Sequence, residues 1–130
     1  MDMTTSTSAT ATHSPRECMR VSALLGRLAD RWTLPVVVTL AEGALRFNQI
    51  RRAVTGISQQ MLTRTLRALE RDGMVSRTVH PTVPPQVEYD LTPLGHSLAE
   101  QGMLLGKWLQ SNLAEIDGHR EQFDSRNDPT

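Results

Sequence analysis

The stretch Gly56–Thr78, GISQQMLTRTLRALERDGMVSRT, gathers Arg64, Arg67, Arg71 and Arg77 against only Glu70 and Asp72. The whole chain of 130 residues has 14 basic and 14 acidic side chains and no net charge, so this local excess is not inherited from composition. An ordinary surface helix alternates its signs, and a one-signed face suggests a partner of the opposite sign. The punctuation sets the local structure: Gly56 breaks the chain, Ser58 offers a hydroxyl cap, a helix runs to Asp72, and Gly73 closes it. On a helical wheel at ~100° per residue, Leu66 and Leu69 fall within about 40° of Leu62 and mark the buried side. Gln60, Thr63, Arg64, Arg67 and Arg71 gather on the opposite arc.

Working upstream, Asn48 offers a cap to a short helix through QIRRAV, with Phe47, Ile50 and Val54 on one side. ALRF before it is long enough only for a bridging strand. Helix, short turn, longer helix is a helix-turn-helix pattern. Further back, Thr33 is placed to cap PVVVTLAE through its hydroxyl, with Pro35 tolerated in the first turn and Gly43 at the end. The β-branched run leaves a buried strand as the rival reading of that segment. RECMRVSALLGRLADRW spaces Val21, Leu24, Leu25 and Leu28 as a first helix ending near Asp30.

Downstream, MVSRTVH and QVEYDLT alternate apolar and polar residues across the proline-rich PTVPP, which reads as a β-hairpin. Thr92 and Pro93 then start a helix carrying Leu94, Leu98, Leu105, Leu109, Leu113 and Ile116 on one stripe. That helix is roughly 35 Å long, more than a domain this small can cover, so part of it is expected to meet another subunit. The expected division is a disordered Thr/Ser/Ala-rich tail over 1–15, one domain over 16–116 and a fraying polar tail over 117–130. The fold class is mainly α with a small β-hairpin, a winged helix-turn-helix.

Several function classes lack the residues they need. The longest apolar run, LPVVVTLA, is far short of the ~20 residues that span a bilayer, and the N-terminus has no basic, apolar secretion signal, so a cytoplasmic protein is expected. A single cysteine, Cys18, excludes an internal disulfide framework, and His13, His80, His96 and His119 have no metal-ligand spacing. No phosphate-cradling glycine loop, GxSxG elbow or paired acid-base constellation is present, so no enzyme, metal or cofactor is expected.

Duplex DNA suits the exposed arc. An α-helix fits the major groove, where Arg bonds guanine bidentately and Gln reads adenine, and recognition helices touch bases with their N-terminal part. Gln59, Gln60, Thr63 and Arg64 are therefore the expected base readers, and Arg67 and Arg71 the phosphate contacts. Arg77 on the hairpin is expected near the minor groove or the backbone, and Arg46, Arg51 and Arg52 flank the helix pair as further phosphate contacts.

From Cys18 to Trp108 the chain resembles the HxlR family of bacterial winged-helix transcriptional regulators. The resemblance is carried by Cys18 with Arg31 and Trp32 downstream, EGALRFNQIRRAVTGISQQMLTRTLRALERDGMVSRTV, PTVPP, VEYDLTPLGHSL and Trp108. It implies that PVVVTLAE is helical. It also implies a homodimer on pseudo-palindromic operators, formed by the N-terminal and C-terminal helices, with Leu24, Leu28, Leu98, Leu105, Trp108 and Leu109 as interface residues. In redox-responsive members a cysteine at the place of Cys18 senses electrophiles or oxidants. This chain lacks the second cysteine that some members use, leaving a Cys18–Cys18 link between subunits, a mixed disulfide or alkylation. Gln86 stands where relatives commonly carry Arg, and Pro35 where they carry a larger apolar residue.

The expected function is therefore a DNA-binding transcriptional regulator, a repressor, with room for a small-molecule or electrophile inducer. The alternatives are a winged-helix protein-interaction module without DNA binding, since fold does not fix function, and a small-molecule-binding protein.

Overall fold

The computed structural model describes residues 14–127. Among the described residues five helices and three strands follow one another: α1 (Pro15–Leu28), α2 (Thr33–Leu40), β1 (Leu45–Arg46), α3 (Phe47–Ala53), α4 (Gln59–Arg71), β2 (Val75–His80), β3 (Gln86–Leu91) and α5 (Pro93–Arg126). The strands form one antiparallel sheet in the order β1-β3-β2. The expected tail over 1–15 lies outside the described residues apart from Ser14 and Pro15. Those two begin α1, the Ser14 hydroxyl accepting from the Glu17 amide at 3.2 Å.

α2 is the centre of the core. Val36, Val37 and Leu40 have no exposed surface, and Ile50 of α3, Leu62, Leu66 and Leu69 of α4, Val75 and Leu91 of the hairpin and Ala99 of α5 belong to the same cluster. A helix enclosed on most sides needs no polar face, which is why its run of valines gave no helical period. Tertiary packing overrides the weak local propensity of the β-branched residues. The buried strand is thereby excluded.

Two caps differ from expectation. Thr33 does not cap α2 with its hydroxyl. The Asp30 carboxylate does so from three residues upstream, accepting from the amides of Trp32 at 2.9 Å and Thr33 at 2.7 Å. Asn48 does not cap α3, which begins one residue earlier at Phe47. There the Gln49 side chain reaches back to accept from the Arg46 amide at 2.8 Å. In both cases a longer-reaching acceptor satisfies an orphan amide that a short side chain would otherwise take. Ser58 and Thr92 cap as expected, accepting from Met61 at 3.1 Å and Gly95 at 3.1 Å.

The hairpin pairs Val75 with Leu91, Arg77 with Tyr89 and Val79 with Val87. β1 adds to its other side through Leu45 opposite Tyr89. α5 runs 34 residues, about 51 Å at 1.5 Å per residue, and stays helical through Arg126. The expected fraying from residue 117 is thus not found over 117–126. Helix propagation costs little once nucleated, and Phe123 continues the spacing of Leu109 and Ile116 at seven-residue intervals.

α1 has no buried residue, and Met19, Val21, Leu24 and Leu25 are exposed. Its C-terminal end is tied to the helix-turn-helix by an ion pair between Arg27 and Asp72. On α5 the exposed apolar residues are Leu94, Met103, Leu104, Leu105, Trp108, Leu109, Leu113 and Phe123.

Candidate nucleic-acid interface

α4 supplies the site because its two sides are sharply divided. Leu62, Thr65, Leu66 and Leu69 are buried. Gln59, Gln60, Thr63, Arg64 and Arg67 are exposed and share one open face along the first two turns. Ser58 fixes where the helix begins, and so fixes which side chains stand on the leading turn. The expected base readers and the first expected phosphate contact are therefore brought together. Arg71 is exposed in the last turn.

The electrostatics follow from what is paired elsewhere. Asp72, one of the two acids near the face, is committed to Arg27. Among the described residues, Arg64, Arg67, Arg71 and Arg77 form no salt bridge. Their charge is left for a partner. The Thr63 hydroxyl donates to the Gln59 carbonyl at 2.9 Å, so its lone pairs are what it offers outward, suited to an amino group on a base edge.

Arg46 and Arg52 flank a second hollow, which lies between the start of α3 and the hairpin at Pro85 and Gln86. Arg51 is exposed on α3 but does not line it. The hairpin loop Pro81–Pro85 carries no cation, and Val83 at its tip is fully exposed. Arg77 is not at that tip. It is the third residue of β2, and its register with Tyr89 puts it on the hairpin face that bears Val75 and Leu91. It lines a third hollow with Thr63, Arg67, Glu70 and Tyr89. Tyr89 was missed by sequence reasoning, although its alternation with Val87 and Leu91 was the signal that places it on the α4 side.

Of the expected interface residues, Leu24, Leu105, Trp108 and Leu109 are exposed and Leu28 is half-buried. Leu98 packs against the core of its own chain. Cys18 is exposed on α1. No helix among the described residues is long and apolar enough to cross a membrane, and no group of three or more His, Cys, Asp or Glu there is placed to hold a metal ion.

A helix-turn-helix backed by a three-stranded sheet, with an exposed cationic face on its second helix, defines a winged helix-turn-helix of the DNA-binding class. The HxlR-like helix-turn-helix model matches residues 27–117, and the chain belongs to that family. It is 41% identical over 99 residues to the HTH-type transcriptional regulator YtfH of Escherichia coli, covering 76% of this chain and 79% of that protein. The structure of the transcriptional regulator ytfH from Salmonella typhimurium superposes with a TM-score of 0.69 at 39% identity, over 78% of this chain and 90% of that one. The redox regulator HypR in its reduced form gives a TM-score of 0.69 at 36% identity, over 76% and 98%. The chain is an HxlR-type helix-turn-helix transcriptional regulator, a family of regulators and not of enzymes.

Proposed function

We propose that this protein is a homodimeric repressor that binds a pseudo-palindromic operator in the cytoplasm, placing the first turns of α4 in the major groove. The observation that carries this reading is the exposed face of α4 that gathers Gln59, Gln60, Thr63, Arg64 and Arg67, the two arginines without a salt-bridge partner among the described residues. Gln59, Gln60, Thr63 and Arg64 read base edges; Arg67 and Arg71 hold phosphates. Arg46, Arg51 and Arg52 extend the phosphate contacts along the backbone. The apolar residues exposed on α1 and α5 support dimerisation, since a strip of that length in water is a liability for a monomer. Fluorescence anisotropy on duplex DNA across a salt series tests the reading. Log Kobs should fall with log salt at about 0.9 per phosphate neutralised. Absence of binding at low salt, to genomic fragments that include the protein's own promoter, would overturn it.

An oxidant or electrophile response through Cys18 is supported by the exposure of that thiol on α1 and by the likeness to a redox regulator. With one cysteine per chain, diamide can take two electrons and two protons from a pair of thiols only between subunits, or from Cys18 and a small thiol. Either product sits on a helix proposed to set the spacing of the two recognition helices, which must match half-sites about one DNA turn apart. Diamide or a quinone should change operator affinity in the wild type, and Cys18→Ser should abolish the change while keeping reduced-state binding. An identical response in both would make the thiol structural.

A further inference from the structure

We infer that Arg67 of α4 and Arg77 of β2 together grip a single DNA backbone phosphate in the seam between recognition helix and hairpin, with the Tyr89 hydroxyl as a third donor. The inference rests on the DNA-binding reading above and adds a site to it. Arg67 lines both the base-facing surface of α4 and the seam, so it stands where the one runs into the other. A helix lying in the major groove, ~12 Å wide, has a phosphate backbone along each flank. The hairpin is the element packed along the flank of α4, and the chain crossing that seam is backbone, not base edge.

Three facts make the seam an anion site. Arg77 and Tyr89 are direct cross-strand partners, so their side chains leave the sheet on the same face. That face is the one carrying the core residues Val75 and Leu91, so it turns both toward α4. Thr63 and Arg67 are four residues apart and share one side of α4, which closes the hollow from above. The seam also holds Glu70, leaving an excess of one positive charge, and neither guanidinium is within ion-pair distance of a carboxylate among the described residues. Two guanidinium forks converging on one acceptor suit a phosphate, whose oxygens accept several charge-assisted bonds at once.

The test is a comparison of full-length wild type, Arg67→Gln, Arg77→Gln and the double variant, with circular dichroism melts confirming folding. The probe is a fluorescein-labelled duplex selected by the wild type from a random pool, with stoichiometry fixed by saturation titration. Each single substitution should weaken binding about tenfold, equally across duplex sequences, and Tyr89→Phe about fivefold. The double variant should lose less than the product of the single losses, because a phosphate released by one guanidinium is poorly held by the other. Its salt slope should fall by about 0.9 per bound protomer, the value for one phosphate. A fall of about 1.8 with multiplicative losses would mean two separate phosphates and would overturn the shared site while leaving DNA binding intact. Wild type that selects no duplex at low salt would overturn both. At equal ionic strength, inorganic phosphate should compete no better than chloride; stronger competition that the double variant loses would assign the seam to a free anion instead. Glu70→Gln should tighten binding to all sequences, and unchanged affinity would count against the anion site.

Discussion

Replacing Gly95 by alanine should destabilise the domain far more than its single methyl group suggests. Gly95 is buried in the first turn of α5, where that helix crosses the reversal between α4 and β2. A Cβ there would stand 2.1 Å from the Met74 carbonyl oxygen and 2.9 Å from Leu91 Cδ2. The carbonyl cannot easily retreat. It accepts from the Thr92 amide at 3.0 Å, the Met74 amide is held by the Leu69 carbonyl at 2.9 Å, and the Thr92 hydroxyl donates to the Gly73 carbonyl at 2.6 Å. Backbone must therefore part from backbone by about 1 Å, an overpacking that typically costs ~1–3 kcal/mol. Losing the Thr92 to Met74 bond adds about 1 kcal/mol. A total of about 2–4 kcal/mol is a large share of the ~5–15 kcal/mol that holds a domain together, and should lower Tm by roughly 6–20 °C. Thermal and urea melts followed by circular dichroism measure it. Gly118→Ala is the control: it lies in the same helix, an added Cβ would meet nothing within 4 Å among the described residues, and it should stabilise by ~0.5–1 kcal/mol. A Gly95→Ala protein melting within about 2 °C of wild type would refute the close approach.

Asp30→Ala should cost ~1–2 kcal/mol in urea denaturation because it removes the acceptor of two amides, whereas Asp30→Asn keeps most of the cap. Arg64→Ala should relax discrimination at one base position by ~1–3 kcal/mol, and Arg71→Ala should weaken all duplexes alike. Uniform losses in both, measured by competition binding, would refute the division of roles. Truncation after Gly106 keeps Leu98, Ala99 and Gly102, which pack on the domain, and removes Trp108, Leu109 and Leu113. A monomer is expected in analytical ultracentrifugation, and a soluble dimer would move the interface to α1.

What the sequence made legible was whatever depends on neighbours a few residues away. The division of α4 into Leu62, Leu66 and Leu69 on one side and the arginines on the other is a matter of helical period, and the burial bears it out. The alternation in MVSRTVH and QVEYDLT foretold the hairpin. The differences lie where a longer reach or tertiary packing decides. Thr33 and Asn48 are the nearest short polar residues to the two helix starts, but an acid three residues before and a glutamine one residue after supply the acceptors by reaching further. α2 lost its period because it is enclosed by other elements, a fact of tertiary packing. Beyond residue 116 the sequence turns polar, but polarity on a helix whose nucleus lies far upstream says little about whether it continues. Arg77 reads from the sequence as a hairpin residue, and its shared parity with Val75 and Val79 adds that it faces α4.

A chain without net charge can still present DNA with a strongly positive surface, because charge acts locally in salt. Between Leu45 and His80 there are seven arginines against Glu70 and Asp72, an excess of five positive charges, and Asp72 is already spent on Arg27. The compensating acids include Glu115, Asp117, Glu121 and Asp124, all far along α5. A Cβ at Gly102 would still meet Leu34 of the domain, and Glu115 follows it by thirteen residues, about 20 Å along the helix axis. At physiological ionic strength the screening length is about 8 Å, so those carboxylates are all but invisible from α4. Nor is the cation chosen for charge alone: 13 of the 14 basic residues are arginine. A lysine would supply the same charge as a point. The planar guanidinium adds the paired donors that fit a guanine edge or two phosphate oxygens, so the surface carries geometry as well as sign.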